Sequence, residues 1–447
     1  MRFGFSTPHE DYEARLREVG LHTTALGRDW IAAAERALAD PVGVDAPYRE
    51  ARYLDPAGAT AVAYRVTLER GQRLVVQLDV ADARPSDLRL FLDLFFAPDS
   101  ATPLRLVASG DSTGWALEYV ALRPGRYVLR VQPELLRGGR VSLTLTARAS
   151  LGFPVAGRDM AAVRSGFGAA RDGGRREHQG VDIFAPRGTP VVAAVAGRVS
   201  RVQTNRLGGN VVWLREAGSG RHLYYAHLDR HAVLGEALVR PGDTLGFVGN
   251  TGNARTTPPH LHFGIYLRGE GPVDPHFHLY DPPHDPPSFA GDLERVGGWV
   301  RIARPGAVVR AAPSRTAPPI AEPREQTPVH VVAGVGQWYR ARLPDGVEGY
   351  VAFAETRVLD PVDSVAVSTP SILRAAPGAA GGEMDSIPPG RVVSVLGRFG
   401  YYVLVRDAGG RQGWLTAVSL GAPGAPVARP GAAGVSAPSA GSAAPHP

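Results

Sequence analysis

The sequence predicts a mainly β, multidomain protein. Three observations carry that expectation. The chain has 447 residues, more than one ordinary hydrophobic core organises, so three or more domains are expected. From about Tyr48 its apolar residues fall in short alternating runs separated by Gly, Pro and Asp turns, the pattern of half-buried strands. Near the C-terminal end, two motifs each recur 64 residues further on.

Residues 1–45 are the exception and read as a short N-terminal helical segment. Tyr12, Leu16, Val19, Leu26, Trp30, Ala33 and Leu38 recur at helical spacing over about residues 11–38. Gly20 and Thr23-Thr24 divide this stretch into two helices, and Asp40-Pro41 ends the second. Residues 46–150 hold strand-like runs at 61–66, 74–78, 127–131 and 141–145, and are expected to form an antiparallel β-sandwich. Residues 151–285 are glycine-punctuated β-type sequence, expected to fold as a compact antiparallel β domain with a groove. Residues 281–290 are proline-dense and read as a stiff linker.

Two copies of one small domain follow, at 292–361 and 362–421. Arg310-Ala311-Ala312-Pro313 recurs as Arg374-Ala375-Ala376-Pro377, and Gly349-Tyr350-Val351 as Gly413-Trp414-Leu415. Each copy has about five short strands and an aromatic pair before its last turn, Trp338-Tyr339 and Tyr401-Tyr402. Trp338, Tyr350, Tyr402 and Trp414 suit the core of a small barrel better than an exposed groove. Residues 422–447 are Ala, Gly, Pro and Ser with few large apolar side chains, and are expected to be disordered.

Composition narrows the chemistry. Arginine supplies all 49 basic residues against 43 acidic ones, a net +6; so mild a charge suits an anionic partner but also an ordinary surface. Without cysteine there is no disulfide framework and no thiolate chemistry. No apolar run approaches the length of a membrane span. No phosphate loop, nucleophilic serine motif or nucleic-acid-binding pattern occurs, so neither nucleotide chemistry nor a nucleic-acid partner has support.

What remains is imidazole and carboxylate. His178-Gln179-Gly180-Val181-Asp182, Tyr225-Ala226-His227-Leu228 and His260-Leu261-His262 gather four histidines and one aspartate in one domain. Neutral imidazole and carboxylate suit zinc, and a catalytic zinc site needs about three protein ligands, an open position and nearby unligated bases. His260 and His262 lie in the strand-like Pro-His-Leu-His-Phe-Gly-Ile-Tyr, where residues i and i+2 share a face about 7 Å apart. Spacing alone leaves open whether both bind metal or one faces substrate. His178 and Asp182 would be about 13 Å apart if fully extended; Gly180 permits a turn that shortens this. His276-Phe277-His278 lies in a Pro/Asp/Gly-rich exit segment with no carboxylate at ligand spacing and does not read as a metal site, and His222 and His231 read as surface residues. Arg175 and Arg176 read as a solvated pair, and Asn210 and Asn250 as turn residues.

The order His-x-x-x-Asp, Tyr-Ala-His-Leu, His-Leu-His resembles the lysostaphin/LytM-type zinc endopeptidases of peptidoglycan, peptidase family M23. The resemblance extends to Gly188-Thr189-Pro190-Val191, Ala196-Gly197-Arg198-Val199, Gly208-Gly209-Asn210, Pro241-Gly242-Asp243 and Gly249-Asn250-Thr251-Gly252, and covers about residues 151–285. By this resemblance His178, Asp182 and His262 match metal ligands, Zn2+ being the metal, and His227 and His260 match the unligated catalytic histidines. The loop Asn253–Pro259 before His260 is longer than the commonest family form. The repeats look like bacterial SH3-like barrels, which accompany wall hydrolases, and the 46–150 region is similar to small jelly-roll modules of secreted bacterial peptidases.

The resemblance implies a partner, the peptide stems or cross-links of peptidoglycan, and an extracytoplasmic location in the periplasm or cell envelope. Met1-Arg2-Phe3-Gly4-Phe5 is followed by charged sequence rather than an export segment, so an upstream signal is expected in the precursor. The rival classes are a catalytically silent LytM-type activator or wall-binding protein, and a zinc peptidase acting on proteins.

Overall fold

A computed structural model describes residues 6–56, 58–81, 88–99, 102–283, 285–378 and 381–420. The tail read as disordered, 422–447, lies outside the described residues. The chain is mainly β, built from antiparallel sheets with few helices. It divides into two compact units: the described residues up to Gly297 with Ala333–Gly336, and the remainder. No helix among the described residues is long and apolar enough to cross a membrane.

The first unit opens with two helices, Pro8–Glu18 and Ala25–Ala39. The first begins earlier than apolar spacing suggests because Thr7 and Glu10 form a reciprocal capping box around Pro8. The chain breaks at Gly20, which adopts a left-handed φ of 77°, and Thr24 caps the second helix. The second helix docks on the strand Gly125–Pro133: Trp30 Nε1 donates to the Pro133 carbonyl at 2.8 Å, and Gln132 Nε2 donates to the Trp30 carbonyl at 2.8 Å. His9 stacks on the Trp30 ring at 4.7 Å.

That strand belongs to a five-stranded sheet ordered Val42–Gly43, Val62–Leu68, Gly125–Pro133, Leu90–Ala97, Arg105–Ser109. Against it lies a second set ordered Tyr48–Leu54, Gly139–Ala149, Gln72–Val80, Ala116–Val120. Val62 and Val131 of the one meet Leu54, Leu78, Val141 and Leu143 of the other. The fully buried Glu50 ties the sheets together, accepting from Tyr64 across the layer, from Tyr48 at 2.6 Å and from Arg52 at 2.8 Å. Burial alone would raise its pKa; the Arg52 guanidinium and the two hydroxyls outweigh that and hold it below the usual range.

The functional sheet comes next. It is ordered Val163–Ser165, Val181–Phe184, His260–Leu267, His222–Leu228, Gly209–Glu216, Gly197–Asn205, Leu238–Val239, with Gly271–Val273 also paired to His260–Leu267. Alternation sorts its residues by face: Ile183, Val212, Leu214, Leu223, Tyr225, Phe263 and Ile265 are fully buried on one side. The other side carries the polar groups.

Between these two layers sits His278. The His-x-His at 276–278 lies on a single helical turn, His276–Leu279, with His276 exposed and His278 buried. The pair therefore does not converge on anything. His278 Nδ1 accepts from Arg221 Nη1 at 2.9 Å, and Ser150 Oγ lies 2.9 Å away. Burial, then the Arg221 and Arg70 charges, push its pKa down to about 3. The folded protein thus refuses a proton that the unfolded chain binds near its ordinary value of 6.5. Stability from this residue is intact above that value and is lost as pH falls toward about 3, by roughly 1.4 kcal/mol per unit. Melting curves from pH 7 to 4 should show a shallower decline in His278→Gln than in the parent.

The proline-dense segment is not free-standing. Ser288 Oγ accepts from Arg49 Nη1 at 2.9 Å, and the Phe289 ring occupies the space a side chain at Gly334 would need. One serine and one phenylalanine thus dock what proline content alone reads as a spacer.

In the second unit the 64-residue repeat is structural. Trp338–Arg342 pairs with Glu348–Ala352, and Tyr402–Arg406 with Gln412–Thr416. Arg310 lies opposite Tyr350 and Arg374 opposite Trp414. Even a side-chain bond recurs: Arg310 Nη1 donates to the Ala317 carbonyl at 2.8 Å, Arg374 Nη1 to the Gly381 carbonyl at 3.0 Å. Tyr339, Tyr350 and Trp414 are buried, Trp338 and Tyr402 half-buried, and Tyr401 exposed.

Candidate metal centre

Strand pairing builds the site. Val181–Phe184 runs antiparallel to His260–Leu267 so that Asp182 lies directly opposite His262, and Phe184 opposite His260. His222–Leu228 flanks the other side with Ala226 opposite His262. His227, next along, has a φ of 62°, which costs a residue with a Cβ about 1–2 kcal/mol. That twist turns its imidazole toward His260 and His262, with ring centroids 5.1 and 5.9 Å away. His178 arrives from the short pair Ala170–Arg171 and Arg176–Glu177, its backbone bonded to Ala169 and Gly168. All five histidine and aspartate groups singled out in the sequence converge here.

Hydrogen bonds then fix which nitrogen faces the site. His178 Nδ1 donates to the Gly166 carbonyl at 2.8 Å, His227 Nδ1 to Thr251 at 2.9 Å, and His260 Nδ1 to Pro258 at 2.9 Å. A carbonyl only accepts, so each neutral ring keeps its proton on Nδ1 and presents a bare Nε2. His262 is reversed and points Nδ1 inward. Gly180 matters at this point: a Cβ there would strike the His262 ring at Nε2, 2.9 Å away.

Three lone-pair atoms meet as a result. His178 Nε2 is 2.9 Å from His262 Nδ1 and 3.0 Å from Asp182 Oδ1, and the last two are 3.1 Å apart. With their lone pairs turned inward, these three atoms are spaced to surround a single cation. Ligands about 2.05 Å from a tetrahedral metal stand about 3.3 Å apart, close to the separations seen. His178, Asp182 and His262 form the group among the described residues that could hold a metal ion. His260 Nε2 stands further back, 3.9 Å from Asp182 Oδ1.

Electrostatics keep the groups in that state. Burial would raise the Asp182 pKa, but the close His178 and His262 rings hold it well below the carboxylate range. Burial and the neighbouring His260 and His262 push His227 down to about 4, so it is neutral at physiological pH. Burial lowers His262 as well, against the pull of Asp182.

The sequence reading missed Arg171. Its Nη2 donates to Asp182 Oδ2 at 2.7 Å and to Ser165 Oγ at 2.6 Å, leaving Oδ1 as the carboxylate atom that faces the histidines. Only the fold distinguishes it among many identical arginines. Such partners are worth about 10–100-fold in metal affinity; Arg171→Ala should release metal to a chelator that much more readily, with unchanged circular dichroism. Asn210 and Asn250 serve turns as expected: Asn210 Nδ2 donates to the Asp229 carbonyl at 3.0 Å, and Asn250 Nδ2 to Thr257 at 3.2 Å. Arg175 and Arg176 are exposed.

Two imidazoles and one carboxylate, with two further bare imidazoles beside them, form a donor set that suits a catalytic zinc ion. Residues 176–275, which include all five groups, match peptidase family M23, and residues 303–357 match the bacterial SH3 domain. The chain carries a domain of each.

Among curated relatives, the L-Ala–D-Glu endopeptidase of Bacillus subtilis (strain 168) is 40% identical over 138 residues, 28% of this chain and 42% of that protein. The DD-carboxypeptidase/endopeptidase Mpg of Neisseria meningitidis serogroup B is 42% identical over 100 residues, 22% of each chain. The chain thus spans less than half the length of these relatives. The catalytic domain of lysostaphin from Staphylococcus simulans is 32% identical, with 26% of this chain and 88% of that one covered and a TM-score of 0.24.

Proposed function

We propose that the protein is a zinc-dependent endopeptidase that hydrolyses the peptide stems or cross-links of bacterial peptidoglycan. The observation that carries this reading is the convergence of His178 Nε2, Asp182 Oδ1 and His262 Nδ1, with the bare Nε2 atoms of His227 and His260 beside them. His178, Asp182 and His262 are the metal-holding residues, because two imidazoles and one carboxylate leave a tetrahedral ion one open position. A zinc ion so bound supplies Lewis acidity, which lowers the pKa of water toward ~7 and polarises a carbonyl.

The protein's own residues do the rest. His260, steadied by Pro258 and by the Phe184 ring stacked 5.0 Å away, offers Nε2 as general base. His227, held by Thr251 and neutral at physiological pH, is placed to take or return a proton and to steady charge developing on the substrate carbonyl. Either histidine can fill the base role; the geometry gives both the same bare atom.

The printed names of the relatives, an L-Ala–D-Glu endopeptidase and a DD-carboxypeptidase/endopeptidase, support a wall peptide as substrate. The matched SH3 domain and its copy 64 residues on support a role for 292–361 and 362–421 as SH3-like barrels that hold the enzyme on the wall. Such a substrate places the working protein in the periplasm or cell envelope. Digestion of defined muropeptides tests the reading: mass analysis should show fragments whose summed mass exceeds the parent's by one water per cleaved peptide bond. Intact muropeptides after incubation with metal-loaded protein would leave a wall-binding or activating role instead.

A further inference from the structure

The metal centre occupies one end of the open face of its sheet, and that face continues beyond it. Residues paired across neighbouring strands share a face. Gly264, Tyr224 and Trp213 therefore form one row next to His262, and Tyr266 lies one step further along the same side. Their rings form a connected set: Tyr224 to His262 at 5.8 Å, Trp213 to Tyr224 at 4.5 Å, Trp213 to Tyr266 at 5.1 Å. These rings are not core. The core on these strands is the opposite set, Val212, Leu223, Tyr225, Phe263 and Ile265, which is fully buried, while the three rings stay half-exposed.

The surface is fixed in place. A Cβ at Gly264 would stand 3.1 Å from the Tyr266 ring and 3.0 Å from the Gln179 carbonyl, so glycine leaves room for Tyr266 to lie across the strand. The Tyr224 hydroxyl is hydrogen-bonded to Asn205. On the same face Arg201 stands opposite Trp213 and Arg215 opposite His222, both exposed. Neither is paired with a carboxylate among the described residues.

We infer that Trp213, Tyr266, Arg201 and Arg215 form a subsite for the glycan strand of the wall, a class of ligand distinct from the peptide that is cut. This rests on the peptidoglycan reading above. Flat rings with an N–H or O–H at the rim match a pyranose, which has an apolar C–H face and a polar edge. The two arginines complement the carboxylates that muramic acid and its stems carry along such a strand. Continuity with His262 places the sugar beside the scissile peptide.

Calorimetry with the full chain and amidase-stripped glycan strands tests the inference without requiring catalysis. The parent should bind these strands, Trp213→Ala should weaken binding about 10-fold, the scale of one lost stacking contact, and Trp213→Tyr should restore most of it. Arg201→Gln with Arg215→Gln should weaken binding and reduce its salt dependence. In hydrolysis, Trp213→Ala should raise KM for a stem still attached to glycan while leaving KM for the free stem and both kcat values unchanged. Equal glycan binding by parent and Trp213→Ala overturns the subsite, as does equal binding of a nucleic acid of matched charge. A parent that binds glycan but cleaves neither substrate would remove the peptidase reading and leave the subsite standing.

Discussion

Alanine at His178, Asp182 or His262 is expected to strip the metal and bring hydrolysis to background. Each residue contributes one of three lone-pair atoms held 2.9–3.1 Å apart, so each loss leaves only two ligands. Since loss of an outer partner already costs about 10–100-fold in affinity, loss of a ligand should cost more. The fold should survive. Ile183, Tyr225 and Phe263 pack on the far face of the same strands and are untouched by these changes. Metal analysis of the three purified variants, beside near-ultraviolet circular dichroism, checks this. Full metal occupancy in all three would refute the ligand set.

His227→Ala and His260→Ala are expected to behave in the opposite way, keeping near-normal metal while losing about 10²–10⁴ in rate, the usual worth of a general acid or base. His260 Nε2 stands 3.9 Å from Asp182 Oδ1, outside the tight triad. His227 is oriented by its own bond to Thr251 and not by any of the three ligand atoms. A loss of metal in His260→Ala would instead make both histidines of His260-Leu261-His262 ligands and close the site. Activity and metal content measured on the same preparations separate the two outcomes.

The chemistry was legible in the sequence because it uses rare residue types in short strings. His178, Asp182, His227, His260 and His262 could be found from order and spacing. The proposed division into metal-holding and proton-handling groups came with the family resemblance and not from spacing, because the geometry behind it is not encoded in the strings. The direct pairing of Asp182 with His262 is a matter of register between distant strands. The inward Nδ1 of His262 is a rotamer, and the left-handed φ of His227 is a backbone choice made at a strand end.

Arginine-rich composition hid Arg171, whose role depends on reaching one carboxylate oxygen. Trp213, Tyr224 and Tyr266 were not singled out in the sequence, because alternation shows that residues share a face but not which face is open. The helix start at Pro8, by contrast, was encoded: Thr7-Pro8-His9-Glu10 is a capping-box pattern that apolar spacing alone overlooks. The repeat was fully legible, since a fixed interval in sequence became the same strand pairs and the same arginine bonds in both copies.

Stoichiometric reconstitution addresses the central claim most directly. Metal-free protein would be titrated with zinc while new amino groups released from purified sacculi are counted. One zinc site built by His178, Asp182 and His262 predicts no release without metal and a rise that saturates at one zinc per chain. Undiminished release from the metal-free protein, or none from protein carrying one zinc, would contradict it.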